Sequence, residues 1–133
     1  MFQKEVADRI IAKVNSKNYG RLSIISNWKL EIQKIMDISS SCFFPKPKVE
    51  STLLKFTPKL KYFSFESAKS LEMITRTLFS QRRKKIRSSF KKIFNKNYEN
   101  ISAKLNIDLN LRPQNLDHEI YYKMTKEYEN LRS

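Results

Sequence analysis

A run of cationic side chains at residues 81–87, Gln-Arg-Arg-Lys-Lys-Ile-Arg, is the part of this sequence best suited to chemistry with a charged partner. No acidic residue occurs between Glu72 and Glu99, so these cations have no local counterion and repel one another. A charge run is ordinarily a solvated helix face, but uncompensated repulsion favours a bound polyanion. We therefore predict contacts to phosphate groups. The candidate residues are Arg82, Arg83, Lys84, Lys85, Arg87, Lys91 and Lys92.

The distribution of charge along the chain supports this prediction. The 133 residues include 27 Lys and Arg against 13 Asp and Glu, a net charge of +14. Residues 60–94 carry +8, residues 1–59 carry +6 and residues 95–133 carry none. Such an excess predicts a nucleic acid or an anionic membrane surface as partner. The sequence has neither a run of about 18 apolar residues nor a signal-peptide pattern, so we expect a cytoplasmic protein without a membrane partner.

The segment Phe43-Phe44-Pro45-Lys46-Pro47-Lys48 is a second candidate site. Two prolines spaced by two residues stiffen the chain, because each restricts the residue before it to extended conformations. A stiff loop can present an aromatic ring to an unstacked base. From residue chemistry alone, a proline-fixed start of a strand with a core phenylalanine is the favoured interpretation.

The other reactive residue types are few and scattered. Gly20, the single glycine, is expected to permit a positive φ in a turn, and one glycine excludes a Gly-rich phosphate loop. Cys42 is expected in the core, and His118 on a helix surface, where one histidine cannot hold a metal. Glu5 and Asp8 are expected to form a local ion pair with the nearby Arg9. We predict no metal site and find no catalytic constellation.

The apolar pattern predicts α/β structure followed by helices only. In residues 1–59 we expect a short strand, a helix over 6–12, a segment at 22–28 that fits helix or strand, an irregular strand at 32–38 and a strand at 49–56. After residue 60 the period becomes helical. Apolar stripes at 71–79 and 86–94 predict one helix carrying the basic run, or two helices broken near 80–82. A short helix at 101–105 and a last helix capped by Asp117 follow.

Five short motifs then occur in a fixed order. They are QKEVADR at residues 3–9, YGRLS at 19–23, F-x-P-x-P-x-V-x-S at 43–51, FSQRRK at 79–84 and LRPQNL at 111–116. In order and spacing the chain resembles the bacterial 16S rRNA adenine N6,N6-dimethyltransferases, the kasugamycin-resistance methyltransferases. The five motifs span nearly the whole sequence, which makes the resemblance specific.

The resemblance implies the C-terminal part of a Rossmann-like methyltransferase domain at residues 1–59 and a small helical RNA-binding domain at 60–133. It implies transfer of methyl groups from S-adenosylmethionine to N6 of two adjacent adenines near the 3′ end of 16S rRNA, in the small ribosomal subunit. By the family pattern Phe43 stacks on the target adenine. Lys46 and Lys48 would then face the RNA together with the basic run, and the full-length protein would be a monomer.

The chain departs from the family pattern because it contains no Gly-rich loop for S-adenosylmethionine, no acidic residue for the ribose of that cofactor and no Asn-Leu-Pro-Tyr-like motif. The resemblance therefore implies a C-terminal fragment that is inactive alone, with the cofactor site in a missing N-terminal half. Two alternatives stay open. One is a non-catalytic RNA-binding or ribosome-assembly module, and the other is an erythromycin-resistance type enzyme acting on 23S rRNA, which shares the Phe43 pattern.

Overall fold

The computed structural model describes residues 1–46 and 48–132. Within them the chain forms three strands, six α-helices and three short 3-10 helices. The strands are β1 (Phe2–Gln3), β2 (Leu30–Ile38) and β3 (Ser51–Pro58). The helices are α1 (Lys4–Ile10), α2 (Arg21–Ser26), α3 (Ala68–Phe79), α4 (Arg87–Phe94), α5 (Tyr98–Lys104) and α6 (His118–Arg132), with 3-10 helices at Ser40–Cys42, Asn95–Asn97 and Pro113–Asn115. The predicted order, α/β followed by helices, is confirmed.

The strands form one antiparallel sheet in the order β1-β3-β2. The pairing of β2 with β3 shifts register between Lys34 and Met36, so the predicted irregularity in this strand is confirmed. Such a bulge bends a strand and turns neighbouring side chains outward. Ile35 and Met36 are accordingly 51% and 53% exposed. A small hydrophobic cluster of Ala7, Ile10 and Leu54 is buried between α1 and the sheet.

The larger core lies among α2, α3, α4 and α6 and contains most of the buried aromatic side chains. Three tyrosines in it donate their hydroxyl hydrogens to backbone carbonyls: Tyr19 to Leu116 at 2.7 Å, Tyr121 to Pro113 at 2.7 Å, and Tyr122 to Ile24. Burial raises the pKa of all three phenols, so they act as neutral donors. This core draws residues from both sides of residue 59, and the division into two domains stays a prediction.

Of residues 22–28, which fitted helix or strand, residues 22–26 lie in helix α2 and the last two lie in the turn that follows it. Helix α1 starts at Lys4, two residues earlier than expected. The expected ion pair of Arg9 is formed with Glu5 at 3.1 Å, whereas Asp8 pairs with Lys4 at 3.7 Å. The predicted cap of the last helix is also confirmed, because the Ile120 amide donates to Asp117 Oδ1 at 3.0 Å.

The prediction of a positive φ at Gly20 is wrong, since its φ is −174°, an extended conformation. The absence of a side chain instead leaves room there for Arg82. A Cβ on Gly20 would lie 3.2 Å from Nη1 of Arg82, which packs directly against it. A positive φ occurs at Asn15, Asn95 and Asn106 instead, and asparagine tolerates a positive φ better than most residues.

Two single residues also differ from their predicted surroundings. Cys42 is exposed, not in the core, because it ends a 3-10 turn beyond the sheet. His118 is half-buried, not on the surface, and its ring stacks on Tyr19 with centroids 5.5 Å apart. Its Nε2 lies 2.9 Å from Ser23 Oγ, which donates its own hydrogen to Ala12 O. The histidine is therefore the donor to Ser23, and desolvation lowers its pKa.

Candidate nucleic-acid interface

The basic run forms a turn between α3 and α4, which we call the basic turn (residues 80–86). The prediction that a helix carries residues 82–86 is wrong, and that of two helices broken near 80–82 is confirmed. Ser80 Oγ donates to Thr77 O at 2.7 Å where α3 ends. The buried side chain of Ile86, whose amide donates to Leu111 O at 2.8 Å, holds the far end of the turn. Arg87, with Lys91 and Lys92, lies on α4.

Arg82 does not share the solvent-exposed position that we expected for every cation of the run. Its Nη1 donates to Tyr19 O at 2.7 Å, and its Nη2 lies 3.4 Å from Lys17 O. Its guanidinium also lies over the Phe79 ring, 5.3 Å from the centroid. The expectation was wrong because tertiary contacts with the YGRLS segment hold this arginine half-buried. The charge pattern does not indicate such contacts.

The other six candidate cations are exposed. None of the ion pairs found in the described part of the chain involves any of them. Lys91 lies over the Tyr98 ring at 4.9 Å. The structure therefore presents a set of uncompensated positive charges on the basic turn and on α4, which are Arg83, Lys84, Lys85, Arg87, Lys91 and Lys92.

The aromatic loop (residues 43–50, with Pro47 outside the described residues) connects the 3-10 helix Ser40–Cys42 to β3. Phe43 is half-buried and belongs to neither core cluster, so the interpretation of it as a core phenylalanine is wrong. Phe44 is fully exposed, and Lys46 and Lys48 are exposed as well. The loop thus carries two aromatic rings and two exposed cations, a combination that suits stacking against a base of a nucleic acid.

Three further cations, Arg9, Lys17 and Arg21, border the same region as Arg82 and were not singled out from the sequence. Arg9 and Arg21 lie in two of the five motifs, QKEVADR and YGRLS, which was the available signal. Charge counting missed them because they are isolated in the sequence and gather only after folding.

The described residues contain no Gly-rich loop of the kind expected to hold S-adenosylmethionine. The family pattern places that cofactor on a Gly-rich loop, whereas Gly20 is the single glycine and packs against Arg82. Within residues 1–46 and 48–132, no three His, Cys, Asp or Glu side chains gather as metal ligands would. None of the helices described there is long and apolar enough to cross a membrane.

The chain belongs to the ribosomal RNA adenine dimethylase family, since the model of that family matches residues 1–130. Among curated proteins it is 55% identical over 132 residues to the ribosomal RNA small subunit methyltransferase A of Pelagibacter ubique. That match covers 99% of this chain and 50% of the Pelagibacter protein. The chain therefore spans about half the length of the curated relatives it matches, and the family predicted from the five motifs is confirmed.

Two solved structures have a fold similar to that of this chain. A dimethyladenosine transferase from Plasmodium falciparum matches 97% of this chain and 55% of its own, with a TM-score of 0.78 and 27% identity. The 23S rRNA methyltransferase ErmE matches 96% of this chain and 52% of its own, with a TM-score of 0.61 and 17% identity, a likeness of fold alone.

Proposed function

We propose that this chain is part of an S-adenosylmethionine-dependent enzyme that dimethylates N6 of two adjacent adenines near the 3′ end of 16S rRNA. Its own residues supply rRNA binding and the loop that stacks on the target base. The observation that carries the proposal is the set of six exposed cations without ion-pair partners, held on the basic turn and α4 of a chain belonging to the rRNA adenine dimethylase family.

The two candidate segments have different tasks in this proposal. The cations of the basic turn and α4 bind backbone phosphates, which gives affinity without reading the sequence. Phe43 stacks on the extruded adenine, while Lys46 and Lys48 neutralise nearby phosphates. S-adenosylmethionine is held by residues outside this chain, so the chain alone binds RNA but transfers no methyl group.

RNA binding is tested first, with residues 1–133 and a hairpin carrying the 3′ end of 16S rRNA. Affinity should fall steeply with salt, by a slope of about 0.9 per phosphate contacted on a duplex. The double variant Arg83→Gln, Lys84→Gln should lower that slope. The charge-matched control Lys55→Gln, Lys69→Gln changes exposed cations on β3 and α3 and should leave the slope unchanged. Equal slopes for both double variants would contradict the assignment of the basic turn.

Methyl transfer is tested in a chimera in which this chain replaces the 132 matched residues of the Pelagibacter ubique protein. We expect N6-dimethyladenine in 16S rRNA, detected by mass spectrometry of digested rRNA. A folded chimera that binds RNA but leaves no dimethyladenine would favour a non-catalytic assembly module. Primer extension across both rRNAs distinguishes modification of 16S from that of 23S rRNA, and a signal in 23S rRNA alone would overturn the proposed substrate.

A further inference from the structure

We infer that the cavity between α1, α2 and the C-terminal end of α3 is an additional phosphate-binding site, which holds one backbone phosphate of the RNA. This inference rests on the proposed function and names residues that it does not use. The cavity has a volume of about 460 Å³. It is lined by Arg9, Lys17, Asn18, Gly20, Arg21, Leu22, Phe79 and Arg82.

The lining has four cations and no carboxylate, and the cations come from three segments of the chain, which are α1, residues 17–22 and the basic turn. Among the ion pairs of the described residues, only Arg9 has an acidic partner, Glu5 at 3.1 Å, and that pair is exposed to solvent. A concave surface lined by charges of one sign concentrates the electrostatic field and attracts counterions. An anion in this cavity would relieve the mutual repulsion of the four cations.

Two of the cations are held in position before any ligand binds. Nε of Arg21 lies 3.5 Å from Thr75 Oγ1, and its Nη2 lies 3.4 Å from Glu72 O. Nη1 of Arg82 donates to Tyr19 O at 2.7 Å, and its Nη2 lies 3.4 Å from Lys17 O. A guanidinium has five N–H donors, so each arginine keeps donors for an anion after these contacts. A pair of fixed guanidinium groups matches the oxygen geometry of a phosphate better than that of a monatomic anion.

The neighbouring residues indicate an RNA backbone and not a free phosphate ester. Arg82 precedes the exposed Arg83 and Lys84 of the basic turn, so a strand lying on that turn is led towards the cavity. The exposed part of Leu22 and the Phe79 ring give an apolar surface beside the cations, where a ribose can pack. At the far side, Asn18 also lines a second cavity.

That second cavity contains carboxylates, which limit the path of the RNA. Its lining includes Glu5, Asp8 and Glu50 together with Asn18. Carboxylates repel phosphate, so a backbone that reaches Asn18 has to turn away from α1 there. For this reason we assign a single phosphate to the cavity lined by Arg21 and Arg82, not a continuous groove.

The test compares RNA binding by the parent chain and two double variants over a range of salt concentrations. Lys17→Gln, Arg21→Gln should lower the salt slope by about 0.9, the value for one lost phosphate contact on a duplex. The control Lys55→Gln, Lys69→Gln removes the same charge and should not. Because Arg21 also contacts Thr75, the single variant Lys17→Gln, at an exposed side chain, is measured as well and should lower the slope in the same direction without changing the thermal unfolding.

Hairpins with one neutral methylphosphonate at successive positions locate the phosphate. At one position, the methylphosphonate should weaken RNA binding by the parent but not by the Lys17→Gln, Arg21→Gln variant. The neutral phosphonate and the double substitution would then remove the same contact. If the parent binds RNA and both double variants show the same salt slope as the parent, the cavity is not a phosphate site and the proposed function stands. If the parent does not bind RNA, both the inference and the proposed function fail.

Discussion

The basic turn and the aromatic loop are both expected to contact RNA, yet they are built in opposite ways. The turn is held by the buried Ile86, by the Arg82 bonds to the backbone and by the Ile86 amide bond to Leu111. The loop has Phe44 fully exposed, and its two rings belong to neither core cluster. Both carry cations that are open to solvent.

This difference suggests how the two segments divide the work. Cations on a fixed turn bind phosphates without first being ordered, which favours affinity. An exposed aromatic ring has few stabilising contacts with its own protein and is covered only when a base stacks on it. We therefore expect changes in the turn to affect folding and binding, and changes in the loop to affect the reaction with little effect on folding.

The largest effect should come from removing the buried anchor of the turn. Ile86→Ala truncates a side chain that is 1% exposed and should lower the free energy of unfolding by about 2–5 kcal/mol. The control Leu60→Ala changes a fully exposed side chain and should have little effect. Urea denaturation measures both. Similar midpoints for the two variants would show that the turn is not anchored through Ile86.

The start of α3, the helix that leads into the basic turn, should be sensitive to acid. Glu129 accepts hydrogen bonds from the Glu66 and Ser67 amides and from Ser70 Oγ. Burial raises the pKa of this carboxyl, but the hydrogen bonds outweigh burial, so the pKa is lowered from its ordinary value of 4.5. The carboxylate therefore contributes stability above about pH 4.5, which is lost as the pH falls through the folded pKa.

Glu129→Gln tests this contribution. At neutral pH the variant should lose about 1.5–3 kcal/mol of unfolding free energy, the range for hydrogen bonds to a charged group. Its stability should also depend less on pH below 4.5 than that of the parent. Glu119→Gln, at an exposed carboxylate on the same helix, is the matched control. Parallel pH profiles for the parent and Glu129→Gln would contradict the assignment.

Adjacent arginines give a smaller but sharper contrast within the turn. Arg82→Ala removes the donor to Tyr19 O and should cost about 1–3 kcal/mol of stability. Arg83→Ala changes an exposed side chain and should stay within about 0.5 kcal/mol of the parent, while weakening RNA binding. Thermal unfolding and RNA affinity are measured on both. Equal loss of stability in the two variants would remove the distinction between anchoring and contacting arginines.

The smallest effect on folding is expected in the aromatic loop. Phe44→Ala truncates a fully exposed ring and should change the unfolding free energy by no more than about 0.5 kcal/mol. Phe90→Ala, in the large core, provides the comparison and should cost about 3–5 kcal/mol. Calorimetric melting of both variants checks this. A large loss of unfolding free energy in Phe44→Ala would mean that the Phe44 ring packs against the rest of the protein.

Local patterns predicted much of the fold, because strand alternation, helix periodicity and the Asp117 cap act over a few residues. One continuous helix stayed an alternative to two helices because Phe79, Ile86 and Phe90 also fit its period, and residues 82–86 were wrongly placed on a helix. The chain turns at Ser80, and the Ile86 amide bonds to Leu111 O. Leu111 is distant in the sequence, and local periodicity carries no information on such a contact. The cavity around Arg21 was missed for the same reason, since only the tertiary fold brings Arg9 and Arg82 next to the segment with Lys17 and Arg21.

The central claim is that the basic turn provides RNA affinity and that the aromatic loop stacks on the target base. Steady-state methylation kinetics of the chimera test it most directly. Arg83→Gln, Lys84→Gln should raise KM for rRNA and leave kcat nearly unchanged, because it removes binding shared by ground and transition states. Phe43→Ala should lower kcat at saturating rRNA. The reverse pattern, a fall in kcat from the turn variant and a rise in KM alone from Phe43→Ala, would contradict the account.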